Sequence, residues 1–331
     1  MIVSEFRLAR PRTVDEAVRI LGEHGPDAMP IAGGTDVIPN LQMRLFAPRV
    51  VVDLKPLRTL SGVSFSERDG LRIGALTTLT NLLAAPVVRE QFSALAHAVS
   101  TIAGPLQRNM GTVGGNLCLE TRCRWYNQSH FWRQALGGCL KKDGPICHVA
   151  PGGKFCWAVW SGDSAPALLT LEAEVEIAGI DGARRMPLRD FYKNDGMDRM
   201  ALGRGEIVTA IHVPARMAGL RGAYHKLRVR DSIDYPLAGV AVAMKIDGGG
   251  VCRDARIALT AVNPAPVLLL PVAELLVGKK WSEDLAMEVA RVAIRTGKPL
   301  TTSASTPVYR REMVKLFTRR ALEETWCARK N

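Results

Sequence analysis

Two glycine-rich segments and one group of cysteines hold the residues of this 331-residue chain best suited to chemistry. The first segment, Ala32-Gly33-Gly34-Thr35-Asp36, lies between an apolar run and the start of a helix pattern. Consecutive glycines let the backbone aim several N–H groups at one point, and the amino end of a following helix adds positive potential, so the loop suits a phosphate or pyrophosphate. A plain tight turn with Asp36 as helix cap is the competing reading. The second segment runs from Arg108 to Leu117 and packs three glycines, the Thr112 hydroxyl and the amides of Asn109 and Asn116 into ten residues. Small donors at that density allow close approach by an anion. Neither segment fits G-x-G-x-x-G or the Walker pattern, so a Rossmann fold and a P-loop lose support.

Four of the seven cysteines, Cys123, Cys139, Cys147 and Cys156, fall within 34 residues, while Cys118, Cys252 and Cys327 stand apart. Glu5 and Arg7 interrupt the apolar residues at the amino terminus, so the h-region of a secretory signal is missing. In a reducing compartment clustered thiols argue for metal before disulfide. The spacing C-x15-C-x7-C-x8-C contains no C-x-x-C knuckle. Four thiolates close a tetrahedral zinc site or hold a cubane iron–sulfur cluster, and spacing does not choose between them. A loop rich in glycine and lysine offers little apolar core in which to hide four small hydrophobes. Lys141, Lys142 and Lys154 read most simply as solvated charge; beside a cluster they would attract an acidic carrier.

The composition, 47% hydrophobic and 23% charged, is that of an ordinary globular chain and excludes a disordered or collagen-like one. The length suggests two domains or one of compound build. The net charge of +12 is spread over short pairs without an aromatic platform, which argues against nucleic acid. The longest uncharged apolar stretch, Ile257 to Ala273, is broken by Pro264, Pro266 and Pro271, so no membrane helix is expected and a cytoplasmic chain is.

The elements that must position the loops begin with a helix after the Thr13/Glu16 capping box, in a β-α-β-type unit reaching Val50-Val51-Val52. A strand at Leu71 to Ala75, helices from Thr78 towards Glu90 and around Phe92 to Ile102, and a strand at Glu206 to Val213 follow. Pro214 to Gly222 reads as a linker. Strands at 223–229, 239–246 and 257–262 and helices from Ser282 to Arg295 and Val308 to Trp326 complete the chain. Units at 1–58, 59–215 and 220–331 are expected, with an irregular insertion at about 118–158, long for a loop without elements of its own.

The A-G-G-T-D and T-x-G-G-N segments resemble those of the flavin-binding medium subunits of the molybdenum hydroxylases, the xanthine dehydrogenase and carbon monoxide dehydrogenase group, and the likeness covers almost the whole chain. The resemblance implies an α+β fold: a two-lobed FAD-binding domain of the vanillyl-alcohol-oxidase-like (PCMH) type, its lobes at 1–58 and 59–215, plus a smaller C-terminal α/β domain. It implies FAD contacts at Ala32, Gly33, Gly34, Thr35 and Asp36 and at Asn109, Thr112, Gly114, Gly115 and Asn116. Asp163 stands in Gly162-Asp163-Ser164-Ala165-Pro166-Ala167-Leu168, which resembles the family's S-D-x-x-P-A-L with glycine in place of serine, and Lys226 and Arg230 resemble its K-x-x-x-R element; these too are implied cofactor residues.

The insertion, through Thr121-Arg122-Cys123, Tyr126-Asn127-Gln128-Ser129 and Cys139-Leu140-Lys141, resembles that of 4-hydroxybenzoyl-CoA reductase medium subunits. That likeness implies a [4Fe-4S] cluster on Cys123, Cys139, Cys147 and Cys156. The implied partners are a large molybdopterin-binding subunit, a small subunit with two [2Fe-2S] clusters and a ferredoxin-like carrier, in a dimer of heterotrimers. No nucleophile–base or carboxylate pair stands out, so no catalytic residue is assigned to this chain, whose role would be electron transfer. A stand-alone flavin oxidoreductase and a zinc-stabilised nucleic-acid module are the rival readings.

Overall fold

The computed structural model describes residues 3–327 and arranges their strands in three sheets. The first is a parallel set of β1 (Arg7–Ala9), β2 (Ala28–Ile31) and β3 (Val50–Asp53) in the order β1-β3-β2. The helix Val14–His24 covers it, burying Ala17, Val18 and Leu21 against Val50 and Val52. Thr13 caps this helix by accepting from the Glu16 N–H, while the Glu16 carboxylate reaches back to the Arg12 N–H instead of that of Thr13.

The second sheet is antiparallel, of β4 (Val63–Ser66), β5 (Gly70–Gly74), β6 (Glu174–Gly179), β7 (Gly182–Pro187) and β8 (Ile207–Val213), in the order β4-β5-β8-β6-β7. Five short helices between residues 79 and 117, and the buried helix Ser164–Thr170, fill its inner face. The single helix expected from Thr78 breaks in two because Pro86 lacks an N–H and forces Ala85 out of the helical region, at φ −66° and ψ 117°. Within the insertion the only regular element is the short helix His130–Ala135, and turns make up most of the rest.

The third sheet, β9 (Arg221–Leu227), β10 (Ala238–Ile246), β11 (Cys252–Thr260) and β12 (Val267–Leu268), is antiparallel in the order β12-β11-β10-β9. The helices Glu283–Thr296, capped by Ser282, and Pro307–Cys327 pack Val289, Ala293, Val314 and Leu322 into its core. The molecule is thus an α+β protein with a two-lobed amino-terminal part and a third, smaller unit. The outer ends of the expected units, residues 1–2 and 328–331, lie outside the described residues. Among the described residues no helix is long and apolar enough to cross a membrane.

Candidate functional site

The two glycine loops, far apart in sequence, meet across a cleft of about 790 Å³ between the parallel and antiparallel sheets. A Cβ at Gly33 would stand 1.9 Å from the Met110 carbonyl oxygen, so the loops approach backbone to backbone, and Gly34 sits at φ +76°, in the left-handed region. Among the described residues none of the N–H groups of Gly33, Gly34, Thr35 and Asp36 finds an acceptor in the chain, which leaves four donors for a ligand. The second loop differs from its sequence reading. Its Gly114 N–H donates to Ala75 O at 2.8 Å and its Gly115 N–H to Thr112 Oγ1 at 3.1 Å, so its backbone donors serve the fold.

Asp36 stands at the N-cap position of the helix Val37–Gln42, but its side chain makes no capping bond. Its carboxylate accepts from Asn40 Nδ2 and the Glu120 N–H, each at 3.2 Å, from the Tyr235 hydroxyl at 3.3 Å, and from Arg122. The cleft also carries orphaned polar atoms: Asn40 Oδ1 and Arg199 Nε are buried without partners, and both residues line it. A cleft of this volume, with four free backbone donors on one lining loop and apolar walls from Leu21, Leu54, Leu76 and Ile207, fits a dinucleotide such as FAD.

Of the residues singled out in sequence, Ala32 to Asp36, Thr112, Gly114, Gly115, Asn116 and Asp163 line the cleft. Asn109, Lys226 and Arg230 do not. Asn109 is exposed and accepts from the Thr80 hydroxyl at 2.7 Å. Arg230 points outward, donating to Ile233 O at 2.6 Å, and the next turn of that segment, Ile233 to Tyr235, reaches the cleft in its place. Lys226 lies behind Asp163: its ammonium donates to Asp163 Oδ2 and to Thr101 O, each at 3.0 Å, while the Tyr224 hydroxyl donates to Asp163 Oδ1 at 2.6 Å. Burial pushes the Asp163 carboxyl above the usual range, and Lys226 and Tyr224 oppose it. This buried pair fastens the C-terminal sheet to the cleft.

Sequence reasoning missed Glu120, Arg122, Arg199 and Tyr235, whose partners lie tens to hundreds of residues away. Glu120 lines the cleft and is buried; burial alone would raise its carboxyl, but Lys141 and Arg199 outweigh it and hold the group below the usual range. Lys141 is therefore not the solvated charge expected: its side chain is 7% exposed and its ammonium also donates to Thr121 Oγ1 and Gly196 O. At the far end Glu206 takes Nε and Nη2 of Arg184 at 3.0 and 2.8 Å, which hold its carboxyl below the usual range. A lowered folded pKa means the unfolded chain takes up the proton first. The stabilisation is full above the ordinary carboxyl value of about 4.3 and is lost as the pH falls through the lowered one. Arg184→Gln will move the acid-unfolding midpoint to higher pH, and coincident midpoints for variant and wild type would rule this out.

The four clustered cysteines are buried around one small cavity of about 20 Å³, shared with Trp125, Tyr126, Lys141 and His148. Burial pushes the Cys123 and Cys156 thiols up to about 11. Among the described residues no three His, Cys, Asp or Glu side chains stand close enough to grip a single metal ion. Four buried thiols lining one cavity form a soft donor set of the kind that zinc or an iron–sulfur cluster accepts. His148 Nε2 is engaged with Gly138 O at 2.7 Å. Among the described residues the buried indole N–H of Trp125, which lines the same cavity, has no acceptor. Cys118 lines the cleft instead, its thiol pushed up to about 12 by burial.

The chain belongs to the family described as the FAD binding domain in molybdopterin dehydrogenase, which matches residues 4–216, and residues 222–325 match the CO dehydrogenase flavoprotein C-terminal domain. It is thereby an oxidoreductase component, a flavoprotein subunit of the molybdenum hydroxylase type. The glyceraldehyde dehydrogenase medium chain of Sulfolobus acidocaldarius is 29% identical over 98% of this chain and 99% of its own. The carbon monoxide dehydrogenase medium chain of Afipia carboxidovorans is 30% identical over the full length of both. Reconstituted CO dehydrogenase from Oligotropha carboxidovorans superposes with a TM-score of 0.81 at 28% identity, covering 98% of this chain and 99% of that one.

Proposed function

We propose that this chain is the FAD- and [4Fe-4S]-containing electron-transfer subunit of a cytoplasmic 4-hydroxybenzoyl-CoA reductase, in which it passes electrons between an external carrier such as a ferredoxin and the [2Fe-2S] clusters of a small partner subunit. A large molybdopterin-binding subunit would hold the thioester, and the assembly would be a dimer of heterotrimers. The convergence of four buried thiols on one cavity beside the cleft carries this reading, because an FAD-only subunit has no use for them. FAD would be held by Ala32 to Asp36, with Thr112, Gly114, Gly115, Asn116 and Asp163 completing the walls and Lys226 holding Asp163 from behind, whereas Asn109 and Arg230 stand outside the cleft. When bound, the flavin supplies the exchange between one- and two-electron steps. The chain's own residues orient it, exclude water and keep Asp163 and Glu120 paired with cations.

Anaerobic reconstitution of the purified chain with FAD, iron and sulfide tests this. About four irons and one flavin per chain are expected, with the iron lost and the flavin kept in Cys139→Ser and Cys147→Ser. Flavin without iron would leave an FAD subunit of another molybdenum hydroxylase, acting on aldehydes, CO, purines or N-heterocycles. A yellow chain that turns over substrate alone would favour a stand-alone flavin oxidoreductase, and zinc without flavin would overturn the proposal.

A further inference from the structure

Arg122 belongs to both sites at once. Its backbone pairs with Val159 in both directions, each N–H donating to the other's carbonyl at 2.8 Å. That bridge closes the base of the insertion, between Cys123 on one side and Cys156 on the other. The Arg122 side chain runs the opposite way. Its guanidinium donates to Asp36 Oδ1 in the first glycine loop and to the Tyr235 hydroxyl, and it lies 4.2 Å over the Tyr235 ring. The side chain is 16% exposed and its buried Nε has no acceptor in the chain, so Asp36 is the one carboxylate paired with it among the described residues. Asp36 is fastened to the same segment again through the Glu120 N–H.

We propose that Arg122 is a positioning residue that couples the flavin cleft to the cysteine site, so that FAD on the 32–36 loop holds the base of the insertion closed and orders the thiols before any metal arrives. The inference rests on the FAD reading proposed above. A ligand that fixes Asp36 fixes the guanidinium, and through it the Arg122–Val159 bridge. Coupling of this kind is reciprocal, so an ordered insertion tightens FAD binding by the same factor.

The test uses the metal-free full chain. Alkylation of each cysteine by iodoacetamide is followed by mass spectrometry with and without saturating FAD, and FAD binding is monitored separately by flavin fluorescence. FAD is expected to slow labelling of Cys123 and Cys156 about tenfold, within the usual range of coupling between sites, and to leave the exposed Cys327 unchanged. In Arg122→Gln the protection falls to about twofold or less, and Arg122→Lys restores part of it. Should Arg122→Gln fail to fold, Asp36→Asn breaks the same contact from the loop and is expected to lose the same protection. FAD that binds without protecting the thiols, or full protection in the variants, overturns the inference and leaves the cleft assignment standing. A wild-type chain that does not bind FAD overturns the cleft assignment itself.

Discussion

Gly33→Val is expected to weaken FAD binding by one to two orders of magnitude or more, whereas Gly22→Ala is expected to leave it unchanged. The contrast is geometric. A Cβ at Gly33 meets the Met110 carbonyl oxygen at 1.9 Å and its carbon at 2.6 Å, and both atoms are backbone, so no side chain can step aside. The two loops must separate by more than an ångström, which displaces the lining loop that carries the free N–H groups of residues 33–36. Forced overpacking costs about 1–3 kcal/mol in stability, and the same displacement removes one to two orders of magnitude or more of affinity. Gly22 has open space around its missing Cβ and lies inside the helix Val14–His24, so alanine there adds up to about 1 kcal/mol of stability. Flavin fluorescence quenching on both variants decides the matter: a Gly33→Val chain that binds FAD within tenfold of wild type would show that the loops do not form the site.

The second large effect is on the junction between the cleft and the C-terminal sheet. Lys226→Met leaves the Asp163 carboxylate buried with the Tyr224 hydroxyl as its remaining donor, in a place where both partners are nearly inaccessible, 2% and 4% exposed. Stranding one member of a buried ion pair costs about 3–5 kcal/mol, far more than the pair contributes over an apolar replacement. The double variant Lys226→Met/Asp163→Asn should therefore recover most of the loss, because no charge is left stranded. Urea unfolding midpoints of the single and double variants measure both numbers. A single variant within about 1 kcal/mol of wild type would mean that water reaches Asp163 and that the junction is looser than its geometry indicates.

Local signals in the sequence were legible, and long-range pairings were not. The caps at Thr13 and Ser282 and the terminal helix Pro307–Cys327 follow from capping chemistry and periodicity within a few residues, and the structure shows them. The order of the glycine loops and the cysteine cluster was visible because residue type alone marks them. Which loop offers its N–H groups was not, since that depends on Ala75 and Thr112 accepting from the second loop. Nor could Lys141 be told from an ordinary surface lysine, because its partner Glu120 is itself hidden only by the fold. Tyr235 joins Asp36 from 199 positions away, and no local pattern encodes such a pair. Asn109 and Arg230 fall outside the cleft for a related reason: a motif fixes which segment is near a ligand, and the turn geometry decides which of its side chains faces it.

The strand order β4-β5-β8-β6-β7 puts the last strand made, β8, between β5 and β6. The lobe therefore has no centre until residue 213 has been synthesised, 57 residues after the last of the four clustered cysteines, Cys156. At about 5–20 residues per second, that interval is on the order of ten seconds. Topology thus orders the folding of the lobe: its central strand arrives last, and the cleft that Ile207 and Val208 of that strand line forms only then.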